Sequence, residues 1–194
     1  MKKIFLVVLM VLMSFFVSCR GQIKTPKENV DTFIKNLKSY EASAEVVFTK
    51  QKKISTMKMQ QRYDMKGYYE LVFTEPESLK DYKVTYDGEK IYEYHPGTDK
   101  KVQAESNPAK NQVLFGTFVH NYLHVDHTGI IVKEEENTVS ITLPIQGNYK
   151  YMAKETVWFD KKDSVPLKMA IYDQEGNVTI EITFTTFKYN VEIK

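Results

Sequence analysis

From Ala44 onward the chain keeps time in twos. Ala44, Val46 and Phe48 alternate with Glu45, Val47 and Thr49, and the same beat returns in segment after segment. Alternation of this kind places one face of a strand against a core and the other against water. The connections between segments are short and rich in turn residues: Asp87-Gly88, Pro96-Gly97, Gln146-Gly147-Asn148, Lys161-Lys162-Asp163 and Glu175-Gly176-Asn177. Parallel strands need crossovers of a dozen residues or more, so short turns dictate an antiparallel meander. About ten strands are expected. They run through Thr49, then Met57 to Gln61, Tyr68 to Thr74, Lys83 to Tyr86, Lys90 to Tyr94, Gly129 to Lys133, Thr138 to Leu143, Tyr151 to Phe159, Val165 to Tyr172 and Val178 to Phe187. A sheet this large tends to curl, and with one dry face it curls around that face.

Two stretches break the beat. Thr25-Pro26-Lys27-Glu28 carries a helix start, with Thr25 as cap, Pro26 at the first helical position and Glu28 three residues on. Val30, Phe33, Ile34 and Leu37 then follow at i, i+3, i+4 and i+7, which predicts a short amphipathic helix ending near Ser39. Ser106 to His124 is the second stretch. Asn107-Pro108 reads as a cap and first turn, and Val113, Leu114, Phe118, Tyr122 and Leu123 form an imperfect helical stripe interrupted at Gly116. The expected fold class is α+β and mainly β: a curled antiparallel sheet making a half-open barrel. An N-terminal amphipathic helix and a central helical segment cover its apolar interior.

The first residues follow different rules. Lys2-Lys3 precede an apolar run from Ile4 to Val17 broken only by Ser14. Its length suits a signal peptide and falls short of the ~20 residues a spanning helix needs. The run ends in Phe16-Val17-Ser18-Cys19, which resembles a bacterial lipobox, with Phe16 where leucine is usual. Cys19 is the only cysteine in the chain. The resemblance implies a signal peptide over 1–18, a diacylglycerol thioether on Cys19, a lipidated tether over 19–24 and one domain over 25–194. Two acyl chains suffice for stable attachment, where one does not. The domain is then expected on the extracytoplasmic face of a bacterial membrane. Without Lys2 and Lys3, basic and acidic residues balance at 25 each, so no field favours nucleic acid as a partner.

The order of elements resembles the LolA/LolB-like lipoprotein-carrier fold. The likeness rests on Val84-Thr85-Tyr86-Asp87-Gly88-Glu89-Lys90-Ile91-Tyr92-Glu93-Tyr94-His95-Pro96 and on Ile171-Tyr172-Asp173-Gln174-Glu175-Gly176-Asn177-Val178-Thr179. Both are strand-turn-strand patterns, so they speak for fold before activity. The family implies a concave apolar cavity under a helical lid, used by the carriers for acyl chains. The carriers hold that lid with an arginine near the strand before the Asp-Gly turn. Here the only arginines are Arg20 and Arg62, and Tyr68 to Lys83 contains none. Small tethered members of spore-forming bacteria, the germination lipoproteins of the GerS type, are also similar. That likeness implies a non-catalytic partner of an N-acetylmuramoyl-L-alanine amidase, CwlD.

Candidate cavity or interface residues are Phe33, Leu37, Tyr69, Phe73, Tyr86, Tyr92, Tyr94 and Phe118. The aromatics among them suit either an acyl ligand or a protein partner. His120 and His124 stand at i and i+4, a spacing used by zinc sites, with His127 or Asp126 as a third donor. No HExxH glutamate and no second ligand cluster accompany them, and histidines also suit a helix C-terminus. No nucleophile elbow and no phosphate loop is present, so neither catalytic residues nor a cofactor are expected.

Overall fold

A computed structural model describes residues 24–50, 53–98, 100–105, 111–124 and 129–193. Cys19, with the expected signal and tether, therefore lies outside the described residues, as do Asn107-Pro108, Asp126 and His127.

Helix α1 spans Pro26–Asn36 and begins as its sequence requires. Thr25 Oγ1 accepts from the Glu28 backbone N–H at 3.2 Å, and the Glu28 carboxylate accepts from the Thr25 N–H at 2.7 Å. This reciprocal box satisfies two of the donors a helix start leaves open. The helix ends earlier than expected, because Leu37 turns extended as its C-cap and is buried there.

Strand β1 (Ser39–Lys50) starts at once, five residues ahead of the expected position, since Tyr40 and Ala42 already point inward. The remaining strands are β2 (Lys53–Asp64), β3 (Tyr68–Glu75), β4 (Lys83–Tyr86), β5 (Ile91–Tyr94), β6 (Lys101–Ala104), β7 (Ile131–Glu134), β8 (Thr138–Pro144), β9 (Lys154–Asp160), β10 (Pro166–Tyr172) and β11 (Val178–Tyr189). Helix α2 (Phe115–His124) separates β6 from β7, and a single 3-10 turn (Glu77–Leu79) separates β3 from β4. Strand β6 was not expected: three of its four residues are exposed, so no apolar alternation marks it. Strands β7 and β9 start later than expected, at Ile131 and Lys154.

The eleven strands form one antiparallel sheet in the order β6-β5-β4-β3-β2-β1-β11-β10-β9-β8-β7. The first and last strands of the chain pair at its centre, with Val46 opposite Ile182. Two meanders, β2 to β6 and β7 to β10, extend outward from that seam. The sheet does not close, since β6 and β7 end the order at opposite edges. Register shifts at Ser43/Ala44, Lys58/Met59, Pro166/Lys168 and Ile171/Tyr172 add the local twist that lets it curl. The half-open barrel is thus observed, and both helices lie on its concave side. Among the described residues no helix is long and apolar enough to cross a membrane.

Candidate functional site

The concave face is organised by a row of tyrosines. Tyr40, Tyr63, Tyr69 and Tyr86 sit directly opposite one another on β1, β2, β3 and β4, and the row continues into Ile91 and Ala104. Their rings stack in sequence at 5.7, 6.4 and 5.5 Å between centroids. Phe187 of β11 stacks on the other side of Tyr40 at 5.1 Å. Cross-strand aromatic pairs of this kind stabilise a sheet beyond the area they bury. Burial raises the phenols of Tyr40, Tyr63 and Tyr69, the last to about 12, so all three stay neutral under physiological conditions.

Helix α2 is seated on this row by a buried polar pin. The Tyr40 hydroxyl donates to Gln61 Oε1 at 3.1 Å, and Gln61 Nε2 donates to the Val113 carbonyl at 3.0 Å. The Gly116 N–H in the first turn of α2 donates to the Tyr40 Oη at 3.2 Å. Beside the pin, the Tyr69 hydroxyl donates to Asn111 Oδ1 at 2.9 Å. Gly116, an apparent weak point of the helical stripe, is what permits this approach. A Cβ built there would overlap the Tyr63 ring.

Beyond the pin, α2 fills the barrel. Phe115, Phe118, Val119 and Tyr122 are buried, while Leu123 points out. The Phe115 ring lies 5.4–6.4 Å from those of Phe33, Tyr40, Phe118, Phe159, Phe184 and Phe187. The apolar interior expected from the sequence is therefore occupied by the protein's own side chains.

Among the described residues, three clefts border this plug. One, of about 240 Å³, is lined by Phe48, Met57, Met59, Leu71, Phe73, Leu79, Tyr82, Val84 and Val113 and is wholly apolar. That is below the 300–1,000 Å³ usual for small-molecule sites. A second, of about 430 Å³, is floored by Tyr63, Tyr69, Tyr86 and Ile91 and rimmed by Glu89, Lys90, Gln103 and Asn111. The third, of about 470 Å³, lies between α1 and the edge strand β7.

The C-terminal half of α2 carries a second polar contact. Glu155, on the inward face of β9, is fully buried. Its Oε1 accepts from Asn121 Nδ2 at 2.8 Å, and its Oε2 has no hydrogen-bond partner among the described residues. Burial pushes this carboxyl up to about 7, against the opposing pull of the Asn121 bond. From the next residue of the helix, the Tyr122 hydroxyl donates to Asp31 of α1, which also pairs with Lys27 at 2.7 Å. Burial would raise Asp31, but the Lys27 and Tyr122 bonds outweigh it and hold the carboxyl below its usual range.

The eight candidate residues from the sequence divide among different surroundings. Phe33, Leu37 and Phe118 are core. Tyr69, Phe73 and Tyr86 face the concave side and border the small clefts. Tyr92 and Tyr94 are on the outer face, because β5 offers its other phase, Ile91 and Glu93, to the interior. Each is capped by a lysine: Lys101 lies 3.5 Å from the Tyr92 ring centroid and Lys83 lies 4.9 Å from that of Tyr94. His120 and His124 are both exposed, with rings 4.2 Å apart, and His124 Nδ1 lies 2.7 Å from the His120 carbonyl. Among the described residues, no group of three His, Cys, Asp or Glu side chains could hold a metal.

Sequence reasoning passed over Tyr40, Gln61, Tyr63, Asn121 and Glu155. The signal for two of them was present: Gln61 shares the inward phase of Met59, and Glu155 that of Val157 and Phe159.

A curled, unclosed antiparallel sheet wrapped on one buried helix, with a polar pin seating that helix, defines a half-barrel scaffold. The chain belongs to the sporulation protein YdcC-like family, matched over residues 1–194. The expected likeness to the GerS type is met at the level of fold. The GerS lipoprotein, solved in complex with the CwlD amidase of Clostridioides difficile, is 23% identical over 89% of this chain and 100% of that chain, with a TM-score of 0.56. An uncharacterized conserved protein from Thermus thermophilus is 16% identical over 86% and 88%, with a TM-score of 0.52. A LolA superfamily protein from Nitrosomonas europaea aligns over 88% and 96% at 9% identity and a TM-score of 0.48. Among curated proteins none matches this chain.

Proposed function

We propose that this chain is a membrane-anchored, non-catalytic lipoprotein that docks and supports an enzyme of the spore-cortex peptidoglycan, an N-acetylmuramoyl-L-alanine amidase, and so serves germination. The carrying observation is the filled interior: Phe115, Phe118 and Tyr122 occupy the space in which a carrier would hold acyl chains. The wholly apolar cleft, of about 240 Å³, is small for a lipoprotein's paired chains. Family membership supports the sporulation setting, and the GerS lipoprotein's complex with an amidase supports the class of partner. Cys19 as lipid anchor supplies the attachment and the extracytoplasmic location.

The test is affinity capture of the tagged, membrane-extracted chain from sporulating cells, followed by mass spectrometry of what comes with it. An amidase enriched over an unrelated lipoprotein bait is the expected result. Recovery of no envelope enzyme overturns the proposal. The competing carrier or sensor reading predicts acyl ligands in native mass spectra of the same preparation, and the filled interior speaks against it.

A further inference from the structure

The two halves of α2 are held by chemically different groups. The first turn is pinned through Tyr40, Gln61, the Val113 carbonyl and the Gly116 N–H. None of these changes charge near neutral pH, since burial raises the Tyr40 phenol above its already basic value. The second half is held by acids. Asn121 donates to Glu155 of β9, and Tyr122 donates to Asp31 of α1. Leu143 of β8 and Ile171 of β10 flank Glu155 in register, and both are wholly buried. The carboxyl therefore meets the helix inside an apolar layer, with one oxygen bonded and the other open among the described residues. The ionisable groups of α2 near it are His120 and His124, both exposed, and Tyr122. Those of α1 are Lys27, Asp31 and Lys35. Burial and the Asn121 bond alone move the Glu155 carboxyl, so no charge among the described residues compensates it.

We infer that a protonated Glu155 docks the C-terminal half of α2, and that loss of its proton lets residues 119–124 lift from the sheet while the Tyr40 pin keeps the first turn seated. A buried carboxylate with one amide bond is far costlier than the neutral acid in the same place. Strand β9 cannot move to relieve it, because β8 and β10 hold it on both sides. The helix end can, since His120, Leu123 and His124 already face solvent. The docked carboxyl titrates near 7, and one reached by water titrates near 4.5. Opening therefore grows by up to about tenfold per pH unit between those values and levels off above. The movement reaches the cleft between α1 and β7, because Tyr122 and Leu123 form part of its wall.

The experiment follows amide hydrogen exchange of the full chain from pH 5 to pH 8, corrected for intrinsic rates, with and without urea too dilute to unfold it. Residues 119–124 are expected to exchange through a local opening that dilute urea barely speeds, with protection falling toward pH 7 and level above. The Gly116 amide and β1 are expected to exchange more slowly, through urea-sensitive unfolding of the whole chain. Glu155→Gln should hold 119–124 at their low-pH protection throughout, roughly two orders of magnitude above the parent at pH 8. Asn121→Leu should open the helix end at every pH. It should also move the levelling point to higher pH, because the Asn121 bond is what draws the carboxyl down, and a merely structural contact would not shift it. His120→Gln/His124→Gln should leave the profile in place. Exchange of 119–124 only in step with β1, at the same urea dependence, overturns the inference and leaves Glu155 acting on the whole fold alone. A pH profile that survives Glu155→Gln, or that disappears with the histidines, also overturns it.

Discussion

Glu155 is an acid in an environment made for apolar side chains. One carboxylate oxygen is held by Asn121, and the other is buried without a hydrogen-bond partner among the described residues. The unfolded carboxyl titrates near 4.5 and the folded one near 7. Between those values the folded protein binds more protons than the unfolded chain, so stability falls as pH rises from about 4.5 to about 7 and levels off above. At 1.36 kcal/mol per unit the loss is roughly 3 kcal/mol. Glu155→Gln keeps a carbonyl for Asn121 and removes the ionisation. The variant is expected to match the parent near pH 4.5 and to exceed it by roughly that amount at pH 8. Urea denaturation at several pH values checks this, and an unchanged pH slope in the variant would show that another group sets it. The position was legible in principle. Glu155 lies in phase with Val157 and Phe159, and an acid in the inward phase of a strand asks for a partner. Which partner was not legible, because Asn121 lies 34 residues away on another element.

At the level of elements, the placement of α2 is decided by few groups. The Tyr40 hydroxyl serves both Gln61 and the Gly116 N–H, all buried. Removing it strands a donor and an acceptor, at about 1–3 kcal/mol for such buried groups. Tyr40→Phe is therefore expected to lose about that much and to speed amide exchange in the first turn of α2 more than in β1. Tyr63→Phe is the control, since the Tyr63 hydroxyl has no hydrogen bond among the described residues. Equal exchange in both variants would deny the pin its role. The elements themselves were read unevenly from the sequence, for physical reasons. Helix α1 carries its start in four adjacent residues, and the capping box forms as written. Strand β6 carries no such local mark, because Lys101, Val102 and Gln103 are all exposed and only the neighbouring β5 defines it. The tyrosine row could not be seen along the chain, since it exists only across four strands in register.

For the whole molecule the question is whether two meanders behave as one folding unit. Among the described residues, their backbones pair only where β1 meets β11. Side chains add the second link. Phe115 touches Tyr40 on one side of the seam and Phe184 and Phe187 on the other, reaches Phe159 in β9, and also meets Phe33 of α1. A ring shared by so many elements couples them, since no element can leave without exposing it. Phe115→Ala opens a void at that junction and is expected to cost about 3–5 kcal/mol. The loss should fall on the entire fold, with tertiary signals from the tyrosines and secondary signals from the sheet moving together in one shifted transition. Phe48→Ala, at the rim of the small apolar cleft, should cost less and leave the same single transition. If Phe115→Ala instead separated the two signals, the seam between β1 and β11 alone would not hold the meanders together. Helix α2 would then be the element that makes the half-barrel one cooperative body, a role its patchy helical stripe and central glycine gave little reason to expect.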